Sequence, residues 1–290
     1  MMGASPTPKS RAAEESAAWI LARTVALYAQ TEGGNPVLEG TGLLLKIADV
    51  AFLVSAAHVF AGIIKDRRAM LMGLGPSVRL GNLRGLRVEV SRDQHDVDIA
   101  FARLPEDTAA EIAKHKEFLR LDQIDLDHAP PLPGWYCVLG FPREHTAINA
   151  ADRVVKLDPY CLHTSLYEGD LRHESFTIGT SIALSFAPHG LSNTAGESVR
   201  VPIMGGISGC GIWCVASSSD VIKNDTWSPE MIRLAGIEHG VVGKRMIKGT
   251  LTFHLLIAIR RRYPELRPAI MLARSSRGKQ RSIVFRSFQA

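Results

Sequence analysis

No run of eighteen or more uninterrupted apolar residues occurs in this sequence, so no transmembrane helix is expected. The stretch from Met1 to Ser16 is broken by Lys9, Arg11, Glu14 and Glu15 and offers no apolar segment of signal-peptide length. A cytoplasmic location is the expectation, or export by a segment ahead of Met1. Cysteine is scarce: four in 290 residues, at positions 137, 161, 210 and 214, too few for a disulfide framework in a chain this long. Reduced, buried thiols are expected instead. Among the ten histidines and four cysteines there is no CxxC pair and no His-Glu-x-x-His. Cys210 and Cys214 share one face of a strand without a second pair nearby, so neither a metal nor a cofactor is expected. No internal repeat at a period of about 20–50 residues is visible.

What is present is ordinary for a folded chain: 46% hydrophobic and 22% charged residues, which excludes disorder over most of the length. The size suits one large domain or two small ones. Charge is uneven. From Val241 to Ala290 there are twelve Lys or Arg against the single acid Glu265, a net of +11, so the first 240 residues carry −6 of the total +5. Arg260-Arg261-Arg262 at a helix C-terminus complements the helix dipole. The Arg-rich residues 274–286 suit an acidic partner protein, nucleic acid or an anionic membrane surface. With only Phe285 and Phe288 interleaved, a base-stacking surface has little support.

Residues 1–9 hold Gly3, Pro6 and Pro8 among small polar residues and read as an unstructured start. Ser10 to Arg23 reads as a short helix. β-leaning runs follow at Thr24–Gln30, Gly42–Ile47 and Ala51–Val54, then at Leu86–Val90, Ile99–Arg103, Trp135–Leu139, Phe176–Phe186, Gly211–Val215 and Arg233–Ile237. Helices are expected at Glu106–Leu119 and at Thr250–Arg262, where Pro264 stops the second. Many short strands, few helices and a late helix indicate an all-β barrel or sandwich.

Three segments carry chemistry. In the first, Gly40-Thr41-Gly42 and the apolar strand Phe52-Leu53-Val54 deliver Ser55-Ala56-Ala57-His58. A histidine just past a strand end, among small residues, can stand in a cleft where another side chain reaches it. In the second, Asp98 opens the apolar strand Ile99-Ala100-Phe101. A poorly solvated carboxylate there can accept the Nδ1 proton of a histidine and fix its tautomer. Asp96, two residues earlier, is the rival, and Ile-Ala directly after Asp98 favours Asp98. In the third, Met204-Gly205-Gly206-Ile207-Ser208-Gly209-Cys210 surrounds a serine with glycines. Such a turn can aim the backbone N–H groups of Gly206 and Ser208 one way, as an oxyanion hole. Taken singly, each segment reads as a surface histidine, a cap aspartate or a glycine turn.

Together they follow the order His, Asp, Ser, one of three unrelated triad orders. On these residues the chain resembles the trypsin and chymotrypsin family of serine peptidases, and in particular its bacterial intracellular members. Ser55-Ala56-Ala57-His58 is similar to the family's Thr-Ala-Ala-His, Asp98-Ile99-Ala100 to its Asp-Ile-Ala, and Gly206-Ile207-Ser208-Gly209-Cys210 to its Gly-Asp-Ser-Gly-Gly. Gly140-Phe141-Pro142 resembles a strand end of bacterial members, and Leu234-Ala235-Gly236-Ile237 the strand along which a substrate backbone pairs. The likeness runs from roughly Gly40 to Gly240.

The resemblance implies an all-β fold of two antiparallel six-stranded barrels with an N-terminal and a C-terminal helix. It places an extension at 1–22, the peptidase domain at 23–262 and a basic tail at 263–290. It implies a serine endopeptidase with Ser208 as nucleophile, His58 as base and Asp98 orienting the base. A protein or peptide substrate would pair near Glu238, His239 and Gly240, with its pocket base near Val201-Pro202-Ile203, where no acid stands. Two departures bear on activation. Ile207 replaces the acid that pairs with a new N-terminus in secreted members, so another device must order the oxyanion turn, and control is expected from a protein partner or a restricted substrate. Cys210 replaces a glycine. The alternative is a pseudoprotease serving as a binding module, which the altered turn favours and the complete triad disfavours.

Overall fold

In the computed structural model, β-hairpins dominate because apolar side chains alternate along strands that are covered on both faces. The structure describes residues 7–30, 35–65, 70–73, 77–79, 81–83, 86–92, 97–126, 133–149, 154–171, 176–187 and 200–275. After helix α1 (Pro8–Leu21) come β1 (Thr24–Gln30), β2 (Pro36–Ile47), β3 (Val50–Ser55), α2 (Ala57–Lys65), β4 (Met70–Gly73), β5 (Ser77–Arg79), β6 (Gly81–Asn82), β7 (Val88–Arg92) and β8 (Asp98–Arg103). Helix α3 (Glu106–Ala113) leads to β9 (Trp135–Gly140), β10 (Thr146–Asn149), β11 (Val154–Leu157), β12 (Tyr160–Thr164), β13 (Ser181–Ser185) and β14 (Gly211–Ala216). The chain ends with α4 (Ser219–Lys223), β15 (Arg233–Val242), β16 (Met246–Leu251) and α5 (Thr252–Arg262), and residues 267–275 are again helical.

Two antiparallel sheets result. The first has the order β6-β4-β1-β2-β3-β8-β7 and the second β12-β9-β14-β15-β16-β13, with a three-stranded sheet β10-β11-β5 beside them. The second sheet closes on itself. Leu166, just past β12, bridges Leu184 of β13, and Tyr167 N donates to Ala183 O at 3.0 Å while Ser185 N donates to Ser165 O at 2.9 Å. The all-β class with paired antiparallel sheets and helices at both ends is the one the resemblance implied. The first sheet carries seven strands rather than six because two short pieces, β4 and β6, extend it beyond β1.

The period of two explains the layout. Leu43, Leu45 and Ile47 of β2, Phe52 and Val54 of β3, and Ile99 and Phe101 of β8 face one core between the sheets. Cys137 and Leu139 of β9 and Trp213 and Val215 of β14 meet them from the other side. The intervening residues Leu44, Leu53 and Ala100 line the inside of the first sheet. Tyr136, Val138 and Ile212 line the inside of the second. Each buried Leu, Ile or Phe contributes roughly 1.5–3 kcal/mol. Both faces being covered, these strands read in the sequence as nearly continuous apolar runs.

Both terminal helices join the central core. Ile20 of α1 is fully buried there, and Trp19 meets Trp213 edge-on with ring centroids 5.7 Å apart. Leu255, Leu256 and Ile259 of α5 pack on the same cluster, as do Leu266 and Ile270 beyond Pro264. The segment that the sequence placed in a basic tail therefore packs on the core, Leu266 from a 3-10 turn and Ile270 from the helix over residues 267–275. The expected helix at 106–119 is shorter, ending at Ala113, where Lys116 turns inward to donate to Leu21 O at 2.9 Å. Among the described residues no helix is long and apolar enough to cross a membrane.

Candidate active site

His58 is the second residue of α2, three residues after Ser55, where β3 ends. That position leaves its backbone N–H without an intrahelical partner and favours an anion nearby. Asp98, first residue of β8, supplies one. Its Oδ1 accepts from His58 N at 3.0 Å, and its Oδ2 lies 2.5 Å from His58 Nδ1. One carboxylate thus holds both the main chain and the ring of His58. The ring is well exposed, while Asp98 is largely sunk between the sheets. Asp98 is itself tied to the second sheet, because its backbone N–H donates to the buried Thr250 Oγ1 of β16 at 3.1 Å. Burial works to raise the Asp98 pKa; the hydrogen bonds and charge of His58, with His239 adding to them, outweigh it and hold the carboxyl below its ordinary range. Asp96 lies outside the described residues.

Ser208 lies on the turn between the sheets, at the mouth of the closed one. Three contacts bring this turn to the His58 segment. Thr41 N donates to Ser208 O at 2.8 Å. A Cβ on Gly40 would stand 2.8 Å from Ser208 O and 2.6 Å from Val59 Cγ1, the residue after His58. A Cβ on Gly209 would stand 2.0 Å from Ser55 Oγ and 3.0 Å from Ala56 N. Gly209 (φ +90°) and Gly206 (φ +100°) occupy backbone conformations that L side chains rarely adopt. Glycine at 209 is thus demanded twice, by conformation and by the closeness of the strand end that carries the histidine.

The hydrogen bonding of the turn is selective. Ile207 N donates to Met204 O, Gly209 N to Glu238 O and Cys210 N to Ile207 O. Among the described residues the N–H groups of Gly206 and Ser208 have no partner. These are the two donors expected to form an oxyanion hole. The Gly206 carbonyl is fixed by Thr41, whose fully buried Oγ1 donates to it at 2.9 Å and accepts from Phe141 N at 3.1 Å. Ile207 is buried inside the closed sheet, against Gly140, where a Cβ would come within 3.0 Å of Ile207 Cβ. Cys210 likewise points into that core and not into the turn; burial, then the nearby Glu238, pushes its thiol up. The turn is ordered by an apolar anchor and a threonine rather than by an ion pair. The Ser208 hydroxyl has no hydrogen-bond partner among the described residues.

Of the residues expected to pair a substrate, Glu238 has both backbone groups engaged, its N–H donating to Cys210 O and its carbonyl accepting from Gly209 N, each at 2.8 Å. Its side chain is 1% exposed. Burial pushes its carboxyl up to about 8; the Gly240 amide pulls the other way and the Asp98 charge adds to the rise. Its Oε2 is buried without a hydrogen bond. Glu238 is therefore a framework residue, because the strand's alternation turns it inward. The register against β16 shifts between Glu238 and Gly240 and resumes at Gly240, the ladder with β14 ends at Ile237, and a Cβ on Gly240 would meet nothing within 4 Å. Near the expected pocket base, Val201 packs on the closed sheet while Ile203 is exposed and its N–H donates to Glu144 Oε2 at 2.7 Å.

Sequence reasoning gave no role to Thr41 or Thr250, and it named Glu238 for substrate pairing where the structure buries it. Only Thr41 had a local signal, in the Gly-Thr-Gly setting that lets two strands approach. No protein-family model matches this chain. No curated protein matches it by sequence. Among solved structures it is similar to the serine protease domain of the Sesbania mosaic virus polyprotein, at 15% identity over 81% of this chain and 90% of that one, with a TM-score of 0.42. It is also similar to the Rv3671c protease in its inactive form, at 14% identity over 90% and 98% of the two chains, with a TM-score of 0.46. At such values the likeness assigns no chemistry to this chain.

Proposed function

We propose that this chain is a serine endopeptidase of the trypsin-like type, acting on a protein or peptide in the cytoplasm. The observation that carries the reading is the two-point hold of Asp98 on His58, with Ser208 and two unpartnered N–H groups on the facing turn. In this reading His58 Nε2 takes the Ser208 proton as Oγ attacks the scissile carbonyl. Asp98 keeps Nδ1 protonated and stabilises the imidazolium that forms. The N–H groups of Gly206 and Ser208 receive the developing oxyanion, each worth on the order of 3 kcal/mol. His58 then returns the proton to the leaving amine, and water releases the acyl group by the same steps in reverse.

A second reading is favoured by one observation, the Ser208 hydroxyl without a hydrogen bond. It is a resting or inactive site that binds rather than cleaves until a partner aligns it. A fluorophosphonate probe separates the two. The peptidase reading expects a covalent adduct at Ser208 in the purified chain and none in Ser208→Ala, with circular dichroism unchanged. Absence of an adduct on folded protein overturns constitutive activity, and an adduct formed only with an added protein fraction supports partner control.

A further inference from the structure

Away from the candidate active site, the hairpin partners β9 and β12 bring three soft or borderline ligands together. Cys137, Cys161 and His163 offer Sγ, Sγ and a ring nitrogen that all lie within 4.8 Å of one another. The two sulfurs are 3.2 Å apart, and Cys161 Sγ lies 3.9 Å from His163 Nδ1. Strand register creates the cluster: Cys137 faces His163 directly across the ladder, and Cys161 faces Leu139, so all three side chains emerge on one face.

The ring is prepared. Ser16 of α1 is fully buried, and its Oγ donates to Ala13 O at 2.9 Å. A hydroxyl has one proton, so toward His163 Nε2, 3.0 Å away, it accepts. The ring proton then sits on Nε2, and the bare Nδ1 lone pair faces Cys161. Trp135 stacks on the same ring with centroids 4.4 Å apart and planes 24° apart. A hydrogen bond on the far nitrogen and a packed ring face are the supports that orient a metal-bound histidine.

We propose that Cys137, Cys161 and His163 form a binding site for one thiophilic divalent cation, of which Zn²⁺ is the representative. Tetrahedral zinc with bonds of about 2.3 Å to sulfur and 2.0–2.1 Å to nitrogen needs sulfurs about 3.8 Å apart and nitrogen about 3.6 Å from sulfur. The sulfur–sulfur and Cys161–His163 separations lie about 0.6 and 0.3 Å from those values, and Cys137 Sγ, within 4.8 Å of the ring nitrogen, closes on it by a side-chain shift of up to about 1.2 Å. Charge agrees. Two thiolates, a neutral imidazole and a dication sum to zero, the combination least costly beside a core in which Cys137 is fully buried. Binding releases two thiol protons to solvent. Cys161 and His163 are only partly covered, and His163 borders a cleft of about 910 Å³ with Pro133 and Ser218. A disulfide fits less well. The cysteines are diagonal across the ladder, where Cβ atoms are farther apart than the roughly 3.5–4.5 Å a disulfide spans.

The test uses the full chain under reducing, anaerobic conditions. Zinc content is measured after dialysis, and Co²⁺ is titrated while the thiolate-to-cobalt charge-transfer band is followed. One ion per chain and a thiolate band are expected. Cys161→Ser removes the band, and Ser16→Ala weakens binding about 10–100-fold while leaving the ligands in place. Should Cys161→Ser fail to fold, Ser16→Ala and His163→Ala carry the same comparison. No band and no retained zinc in the wild-type chain overturns the site. So do binding that survives all three substitutions and air oxidation to a Cys137–Cys161 disulfide in a chain that takes up no metal. Ser208→Ala is expected to bind as the wild type does, which separates this outcome from that of the peptidase reading.

Discussion

The fate of each ionisable side chain near Ser208 follows from how far it is withdrawn from water and from which proton it meets there. Asp98 is paid for its partial burial by two donors on His58. An Asp98→Asn substitution preserves shape but loses the acceptor that selects the Nδ1–H tautomer; peptide hydrolysis is expected to fall about 10⁴-fold, with the thermal midpoint nearly unchanged in a melting scan. Glu238 is the opposite case. Unfolded, it titrates near the ordinary glutamate value of 4.5; folded, burial raises it to about 8. Between those values the unfolded chain has lost a proton that the folded chain retains, so stability declines as pH rises from about 4.5 to about 8 and then levels. Glu238→Gln keeps an acceptor for the Gly240 amide and lacks the titration. Its advantage over wild type is expected to grow across that window to on the order of a few kcal/mol. Urea denaturation at pH 5, 6.5 and 8 measures it, and an equal response of both proteins to pH refutes it.

Among the elements, the turn from Met204 to Cys210 is held by what surrounds it more than by its own bonds. Ile207 anchors it in the closed sheet and Thr41 pins its carbonyl. Thr41→Val leaves Phe141 N and Gly206 O buried without partners. A loss of about 1–3 kcal/mol is expected, together with slower acylation by the fluorophosphonate, whereas Thr41→Ser restores both. Equal labelling rates in Val and Ser variants would show that the hydroxyl does not order the turn. Element existence was largely readable. β1, β3, β8, β9 and β14 fall within a residue or so of the apolar runs that predict them. α2, α4, β4, β5, β6, β10, β11, β12 and β16 escaped notice for a physical reason: α2 follows directly on the apolar run of β3, and the strands among them take their residues from neighbours across the sheet rather than from local periodicity. The register that joins Cys137 to His163 belongs to this scale as well, since residues 26 positions apart meet only once β9 and β12 pair.

For the whole molecule, one core couples both sheets to both terminal helices. Ile20, Phe52, Trp213, Leu255 and Ile270 belong to a single buried cluster. Ile20→Ala and Ile270→Ala, each at a chain end, are expected to destabilise the entire fold by roughly 2–5 kcal/mol in one transition. Superimposable urea curves by tryptophan fluorescence and far-ultraviolet circular dichroism would establish that. A separate early transition for either helix would mean the ends are independent. The sequence by itself determined the strand-rich class, the late helix stopped by Pro264, and the three segments bearing His58, Asp98 and Ser208, because local patterning and small-residue turns are written in adjacent positions. Only the tertiary structure decided that one carboxylate grips His58 twice, that Thr41 and Ile207 order the turn, that Glu238 is sealed inside, and that two cysteines and a histidine converge. Each of these depends on which strands lie side by side, and that is fixed by burying both faces of two sheets at once.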